Sequence, residues 1–366
     1  MIASLALMLF GAAATAPPCD SLTSLKLDKA VITTAEMVAE GPAPARAGGQ
    51  GRGVPAGGRG AVPGGAPAAG APRGGGNAPQ GARAAGPAPA PAVIPAHCRL
   101  VMVLKPTTDS LINMEMWLPP ADKWNGKFMG VGNGGFAGSI QGLANDMPQA
   151  LRLGYATAGT DTGHQDPGGE WAIGHPEKMI DFGYRATHEM TVKAKQIVKE
   201  FYDRSAQFAY FKGCSTGGRM ALMEAQRYPD DYDGIIAGSL ANRHIHMWTS
   251  GIERSINLSR HPENAISAEQ AAMVNKLVMD KCDTLHEGFV NNPAACKVDF
   301  SQLKCTGASA ANACLTDPQL KSVETFYNGV KNSKGELIFS GQALGNPIGA
   351  QRATNQAPNG VFDLVR

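Results

Sequence analysis

Residues Tyr210 to Arg227 read as a short apolar run, a Gly213-Cys214-Ser215-Thr216-Gly217 turn, and a stretch of helix formers. No other feature constrains the chain as much. A Gly-x-Ser-x-Gly turn between a strand and a helix lifts one serine onto a sharp bend. Its hydroxyl is exposed there, and the next backbone N–H can face a developing oxyanion. The string alone recurs by chance, and its context is what gives it weight. Phe208–Phe211 is apolar and strand-like, Gly218–Arg227 favours a helix, and Tyr228-Pro229 stops it. Ser215 is therefore the candidate nucleophile and Thr216 N–H a candidate oxyanion donor.

The flanking sequence supplies a frame for that turn. Arg99–Lys105 and Leu111–Leu118 read as two strands, and Phe128–Val131 as a third that runs into Gly132-Asn133-Gly134-Gly135. A helix is expected over Leu143–Leu153, a strand over Tyr155–Gly159, and a long helix over Asp181–Asp203. In that helix Ala186, Met190, Ala194, Ile197, Val198 and Phe201 share one face. Asp233–Gly238 reads as a buried strand. Strands alternating with helices predict an α/β fold, a parallel sheet covered on both faces. From Trp248 the rhythm breaks into helical pieces such as Ser267–Lys281, joined by cysteine-bearing loops without a clear sheet strand. Residues 248–366 thus read as a second region following a core made of 17–41 and 97–247.

Between the two pieces of that core lies a segment of different character. Residues 42–96 are almost wholly Gly, Ala and Pro, with Arg46, Arg52, Arg59, Arg73 and Arg83 and no acidic residue. Such a composition buries too little apolar surface to offset its ordering entropy, so a disordered insertion is expected. Its arginines more than account for the formal charge of +2. It has no aromatic residue to stack on bases, and nucleic acid is not an expected partner. Residues 1–16 carry an apolar run, Ile2–Phe10, followed by Ala-Ala-Ala-Thr-Ala. They read as a secretory leader that lacks its positive n-region, which points to a start upstream of Met1. The run is too short to span a bilayer, and no membrane association is expected.

Seven cysteines fit an exported, oxidised protein, secreted or periplasmic. No Cys-x-x-Cys occurs, which argues against zinc ribbons and thioredoxin chemistry. Proximity along the chain suggests Cys282–Cys296 and Cys305–Cys314 as local bridges, and Cys19–Cys98 as a clasp across the insertion. Cys214 is left without a partner.

A serine nucleophile also needs a base, an acid and a second oxyanion donor. Gly134 and Gly135, which carry no side chains in the Gly-rich Gly132–Gly135 loop, are candidates for the donor. The base is harder to place. In Gly-x-Ser-x-Gly hydrolases the acid and then the histidine follow the serine in the chain. His244 and His246 come too soon after the elbow, and His261 and His286 lie in the irregular second region. His164 and His175 precede the serine and suit pocket shaping or turn capping. Asp283 and Glu287, beside His286, are weak candidates for a structural calcium. They offer too few carboxylates for a six-to-eight oxygen shell, and no metal or other cofactor is expected.

Taken together, several segments resemble the tannase/feruloyl esterase family, whose members include tannases, type B feruloyl esterases and the PET-monoester hydrolase. They are Trp124-Asn-Gly-Lys-Phe, Gly132-Asn-Gly-Gly-Phe-Ala-Gly, Thr160-Asp-Thr-Gly-His-Gln, Gly174-His-Pro-Glu-Lys, Asp181-Phe-Gly-Tyr-Arg-Ala, Gly213-Cys-Ser-Thr-Gly-Gly-Arg and Ala225-Gln-Arg-Tyr-Pro-Asp-Asp-Tyr-Asp-Gly-Ile. The resemblance implies an α/β-hydrolase core with an inserted, disulfide-stapled lid domain. It also implies a Ser-Asp-His triad in which the cysteine before the serine is bridged to a cysteine just before the histidine. Ser215 and Cys214 match the first members of those pairs. The partners would lie beyond Arg366, so the chain reads as a family member cut within its lid (248–366). Two departures stand out. Cys282-Asp-Thr-Leu-His-Glu-Gly is shorter than the family's calcium loop, and the 42–96 insertion has no counterpart in it.

The expected function is a secreted serine carboxylesterase that hydrolyses small esters of aromatic acids, feruloyl, galloyl or similar, through an acyl-enzyme on Ser215. The chain as it stands is expected to be nearly inactive, because the triad Asp and His are missing from it. Two alternatives stay open. One is a non-catalytic, hydrolase-like protein that binds an aromatic ligand; the other is a complete small hydrolase with His286 as base. Nothing in the sequence sets an oligomeric state.

Overall fold

The computed structural model describes residues 17–42, 93–140, 146–166, 168–307 and 312–351. The expected leader and nearly all of the 42–96 insertion lie outside the described residues. A 3-10 turn at Cys19–Ser24 leads into β1 (Ala30–Val38), β2 (Gly41–Pro42), β3 (Val93–Ile94), β4 (His97–Leu104), β5 (Ile112–Leu118) and β6 (Lys127–Val131). Next come α1 (Asp146–Arg152), β7 (Ala156–Thr160), α2 (Pro176–Ile180), a π-helical turn (Asp181–Arg185), α3 (Ala186–Tyr202), β8 (Phe208–Cys214), α4 (Thr216–Arg227) and β9 (Gly234–Gly238). The remainder is α5 (His244–Arg260), α6 (Ala268–Cys282), α7 (Asp317–Asn328), β10 (Val330–Lys331) and β11 (Leu337–Phe339).

Seven strands form one sheet in the order β1-β4-β5-β7-β6-β8-β9. Its first half is antiparallel, and β7, β6, β8 and β9 run parallel. The two halves are written differently in the sequence. β4 and β5 alternate, so that Leu100 faces Met116 and Met102 faces Met114 across the ladder on the buried side. Their other side carries polar groups: Arg99 pairs with both Glu115 oxygens and with Glu36. β7, in the parallel half, is buried at every position, as expected of a strand covered on both faces. The apolar face of α3 packs onto the sheet through Met190, Ala194, Ile197, Val198 and Phe201. Each large side chain buried in this way contributes about 1.5–3 kcal/mol.

A second hydrophobic cluster, separate from the sheet core, joins α6 and α7 through Val274, Val278, Phe300, Leu315, Val323 and Tyr327. Both helices start with capping boxes, Ser267 with Gln270 and Thr316 with Gln319, and the two glutamines bond each other at 3.0 Å. Cys282–Cys296 and Cys305–Cys314 close the loops around this cluster. In the core, Cys19–Cys98 pins the N-terminal turn to β4. β2 pairs with β3, Gly41 opposite Ile94 and Pro42 opposite Val93. The two ends of the Gly/Pro-rich segment are therefore held side by side.

The structure departs from the sequence reading in several places. β1 was not expected, since Ala-Val-Ile-Thr-Thr-Ala-Glu-Met-Val alternates weakly and finds its role only by pairing with β4. β9 is the last strand of the sheet among the described residues, and Ile236 on it is 62% exposed, where a buried strand was expected. The helix expected from Asp181 opens with the π-helical turn. α5 runs straight through position 248, the expected start of the second region, and β10 and β11 form a small ribbon there outside the main sheet.

Candidate active site

β7 and β8 flank β6 on opposite sides, so the strand order reverses at β6, and ligand sites of open α/β sheets sit at the carboxyl ends of strands at such a point. Three loops meet there: Gly132–Gly138 after β6, Asp161–His164 after β7, and the Ser215 turn after β8. Ser215 is exposed and has φ 60°, ψ −118°, a backbone state that a non-glycine residue holds only when its surroundings enforce it. The enforcement is visible. Ser215 N–H donates to Gly238 O at 3.1 Å, and Ser215 O accepts from Arg219 N at 3.1 Å and Ala241 N at 3.2 Å.

The glycines around the serine are required by crowding. A Cβ on Gly213 would stand 2.2 Å from Gly217 O, and one on Gly218 would stand 2.5 Å from Gly238 O. Gly132 and Gly217 exclude side chains from each other: a Cβ on Gly132 would lie 2.7 Å from Gly217 Cα. This contact docks the β6 loop onto the elbow. Gly132 N–H donates to Lys212 O (2.9 Å), Gly217 N–H to Asn133 O (2.6 Å), and the Thr216 hydroxyl to Gly135 O. Asn133 Nδ2 ties the loop to β7 through Thr160 O at 2.9 Å. A Cβ on Gly134 or Gly135 would meet nothing within 4 Å. Thr216 opens α4, so its N–H belongs to the first-turn donors without an intrahelical acceptor and lies at the positive end of the helix dipole.

Among the described residues no histidine is hydrogen-bonded to the Ser215 hydroxyl. His164 is buried, its Nε2–H donates to Phe136 O at 2.7 Å, and its ring stacks on Trp171 at 4.0 Å. Burial lowers its pKa to about 4. His244 accepts from Trp248 Nε1 at 2.7 Å, and burial lowers its pKa to about 4 as well. His175 bonds Asp109, His261 bonds Glu263, and His286 and His246 are exposed.

The low pKa of His164 predicts a pH effect on stability. Between pH 6.5 and about 4 the unfolded chain binds a proton at this position and the folded chain does not. Stability therefore rises with pH across that window and is lost on acidification. The loss at pH 4 is expected to be on the order of 1–3 kcal/mol. In urea titrations at pH 4.5 and 7, His164→Asn should flatten this dependence; an unchanged slope would contradict it.

Against this geometry, a family model described as "Tannase and feruloyl esterase" matches residues 98–359. The chain belongs to the tannase and feruloyl esterase family. It is 38% identical over 254 residues to an uncharacterized esterase of Xanthomonas campestris, covering 68% of this chain and 43% of that protein. It is 35% identical over 247 residues to feruloyl esterase B of Aspergillus niger, covering 66% of this chain and 46% of that one. The crystal structure of feruloyl esterase B from Aspergillus oryzae superposes with a TM-score of 0.68 at 26% identity, over 90% of this chain and 59% of that one. The tannin acyl hydrolase from Aspergillus niger shares the fold, with a TM-score of 0.57 at 21% identity. The chain spans about half the length of the curated relatives it matches.

In this member of the tannase and feruloyl esterase family, sequence reasoning missed an aromatic cluster beside the elbow. Phe136 stacks on Trp248 at 5.0 Å, and Phe182 packs against Trp171, His164 and His244. Arg219, one turn into α4, lies 4.5 Å over the Phe182 ring and donates to Gly183 O and Phe182 O. The Arg219 guanidinium thus clamps the π-helical turn onto α4. These side chains come from six separate segments, and no local spacing announces them.

The weak calcium candidates are otherwise engaged. Asp283 accepts the backbone N–H groups of Glu287 and Gly288, and Glu287 accepts from Asn291. Cys214 is free and exposed.

Proposed function

We propose that the protein is a carboxylic ester hydrolase acting on small esters of aromatic acids, with Ser215 as nucleophile. The observation that carries this reading is the enforced φ 60° of an exposed serine between β8 and α4, against an interlocked glycine loop. The Ser215 oxygen would attack the ester carbonyl, giving up its proton to a base. Thr216 N–H and the Gly134/Gly135 loop would hold the resulting oxyanion. Collapse of the tetrahedral species would release the alcohol and leave an acyl-serine that water then cleaves. The half-buried rings of Phe136, Phe182, Trp171 and Trp248 would offer the aromatic acyl group stacking and edge contacts. Export fits the same reading: three disulfides close among the described residues, and no helix there is long and apolar enough to cross a membrane.

The absence of a histidine at Ser215 among the described residues favours a second reading, a hydrolase-like protein that binds the aromatic acid without turning it over. Both readings share the aromatic pocket. Ferulate is expected to quench tryptophan emission saturably and hexanoate much less so. Phe182→Ala should weaken ferulate binding about tenfold, on the scale of one aromatic contact. Equal responses to ferulate and hexanoate would sink the aromatic assignment for both.

A further inference from the structure

Below the nucleophile, a cluster that the ester chemistry does not use joins α3 to the far end of α4. His188 on α3, Glu224 on α4 and Asp231 just after α4 place one ligating atom each within 4.8 Å of one another. Glu224 is fully buried, and neither carboxyl oxygen has a hydrogen-bond donor in the protein. Burial, the larger cause, and the facing Asp231 push its pKa up to about 9, a cost that a cation between the two carboxyls would offset. The neighbouring charges do not fill that role. Lys195 lowers the Glu224 pKa only as a minor influence, and its ammonium is directed to Asp230 O at 3.4 Å and over the Tyr232 ring. His188 bonds Asp231 at 2.6 Å and stacks on Tyr228 at 3.7 Å. Tyr232 is hydrogen-bonded to Thr191. The His188 and Asp231 side chains are 26% and 13% exposed, which leaves a route in from solvent.

We infer that His188, Glu224 and Asp231 form a binding site for one divalent cation of the zinc class. One imidazole nitrogen and two carboxylates are a zinc-type donor set, and bonds of about 2.0–2.2 Å close this span with small side-chain shifts. An oxygen-seeking calcium would need six or more ligands, so it is disfavoured. Carboxyl and imidazole ligands must be deprotonated to bind the cation, so binding is expected to release protons to solvent. Glu224 is nine residues beyond Ser215, roughly 14 Å along the helix, so the site is separate from the ester chemistry. It staples α3 to the α4–β9 corner that fixes the elbow from behind.

The test is calorimetric titration of the chelator-treated 366-residue chain with Zn2+, in buffers of differing ionisation enthalpy. One zinc per chain is expected, with net proton release and a thermal midpoint raised by roughly 5–10 °C at hundredfold excess over Kd. Glu224→Gln mimics the protonated acid and should leave the zinc-free fold and midpoint unchanged while weakening zinc at least tenfold. His188→Asn should do the same to zinc binding. Zinc binding that is absent, or equally tight in Glu224→Gln, overturns the proposal. So does calcium binding as tight as zinc.

Discussion

The 366-residue chain is expected to hydrolyse the p-nitrophenyl ester of ferulic acid only slowly, and added imidazole should raise the rate in a manner that depends on Ser215. The elbow presents an exposed Ser215, with Thr216 N–H and the Gly134/Gly135 loop as its proposed oxyanion donors, yet no described histidine is hydrogen-bonded to Ser215. Removing the base from a serine hydrolase costs on the order of 10^6 in turnover, about 8 kcal/mol of transition-state stabilisation. What remains comes from binding and the oxyanion donors. A diffusible imidazole can enter because Ser215 is exposed and can supply the missing proton acceptor. In Ser215→Ala the imidazole-dependent rate should fall to that of imidazole acting on the ester in free solution. If the chain turned over at the rate of a complete triad without imidazole, a histidine such as His286 would have to reach the serine. If imidazole gave no Ser215-dependent rate, the binding-only reading would be favoured.

The second large effect concerns the fold of the elbow. Gly213→Ala places a methyl 2.2 Å from Gly217 O and 2.3 Å from its carbonyl carbon, both backbone atoms that no rotamer change can move. Relief requires parting β8 from the first turn of α4, which is the geometry that holds Ser215. A loss of at least about 3 kcal/mol is expected, at or beyond the upper end of ordinary overpacking, along with loss of imidazole-rescued turnover. Gly134→Ala is the contrast: nothing lies within 4 Å of the added methyl, and stability should stay within about 0.5 kcal/mol. Urea unfolding of the two variants tests this directly. Equal stabilities would mean that the packing of the elbow is not what fixes Ser215.

The sequence made the parallel half of the sheet legible because its signals are local. The apolar runs at Phe128–Val131 and Phe208–Phe211, the 3.6-residue spacing of α3 and the glycines of the turn each report on the element that contains them. β1 was missed because its role depends on a partner almost seventy residues away, across the Gly/Pro-rich segment. The site divides in the same way. The Ser215 turn and the Gly132–Gly135 loop stand out as short motifs, in which Gly132, Gly213, Gly217 and Gly218 are physically required. Phe136, Trp171, Phe182, Arg219 and Trp248 do not, since each looks like an ordinary core or surface residue until the fold brings them together. His188, Glu224 and Asp231 are similar: the sequence shows three common residue types, and only tertiary packing leaves the Glu224 carboxyl buried without a donor.

The central claim, that Ser215 is the nucleophile, is tested most directly by trapping the acyl group. The chain is incubated with the p-nitrophenyl ester of ferulic acid and imidazole, quenched in acid, and mapped by peptide mass. The expected result is one feruloyl group, on the peptide carrying Ser215, formed faster with imidazole and absent in Ser215→Ala. A feruloyl group on Cys214 or another residue, or one that persists in Ser215→Ala, would contradict it.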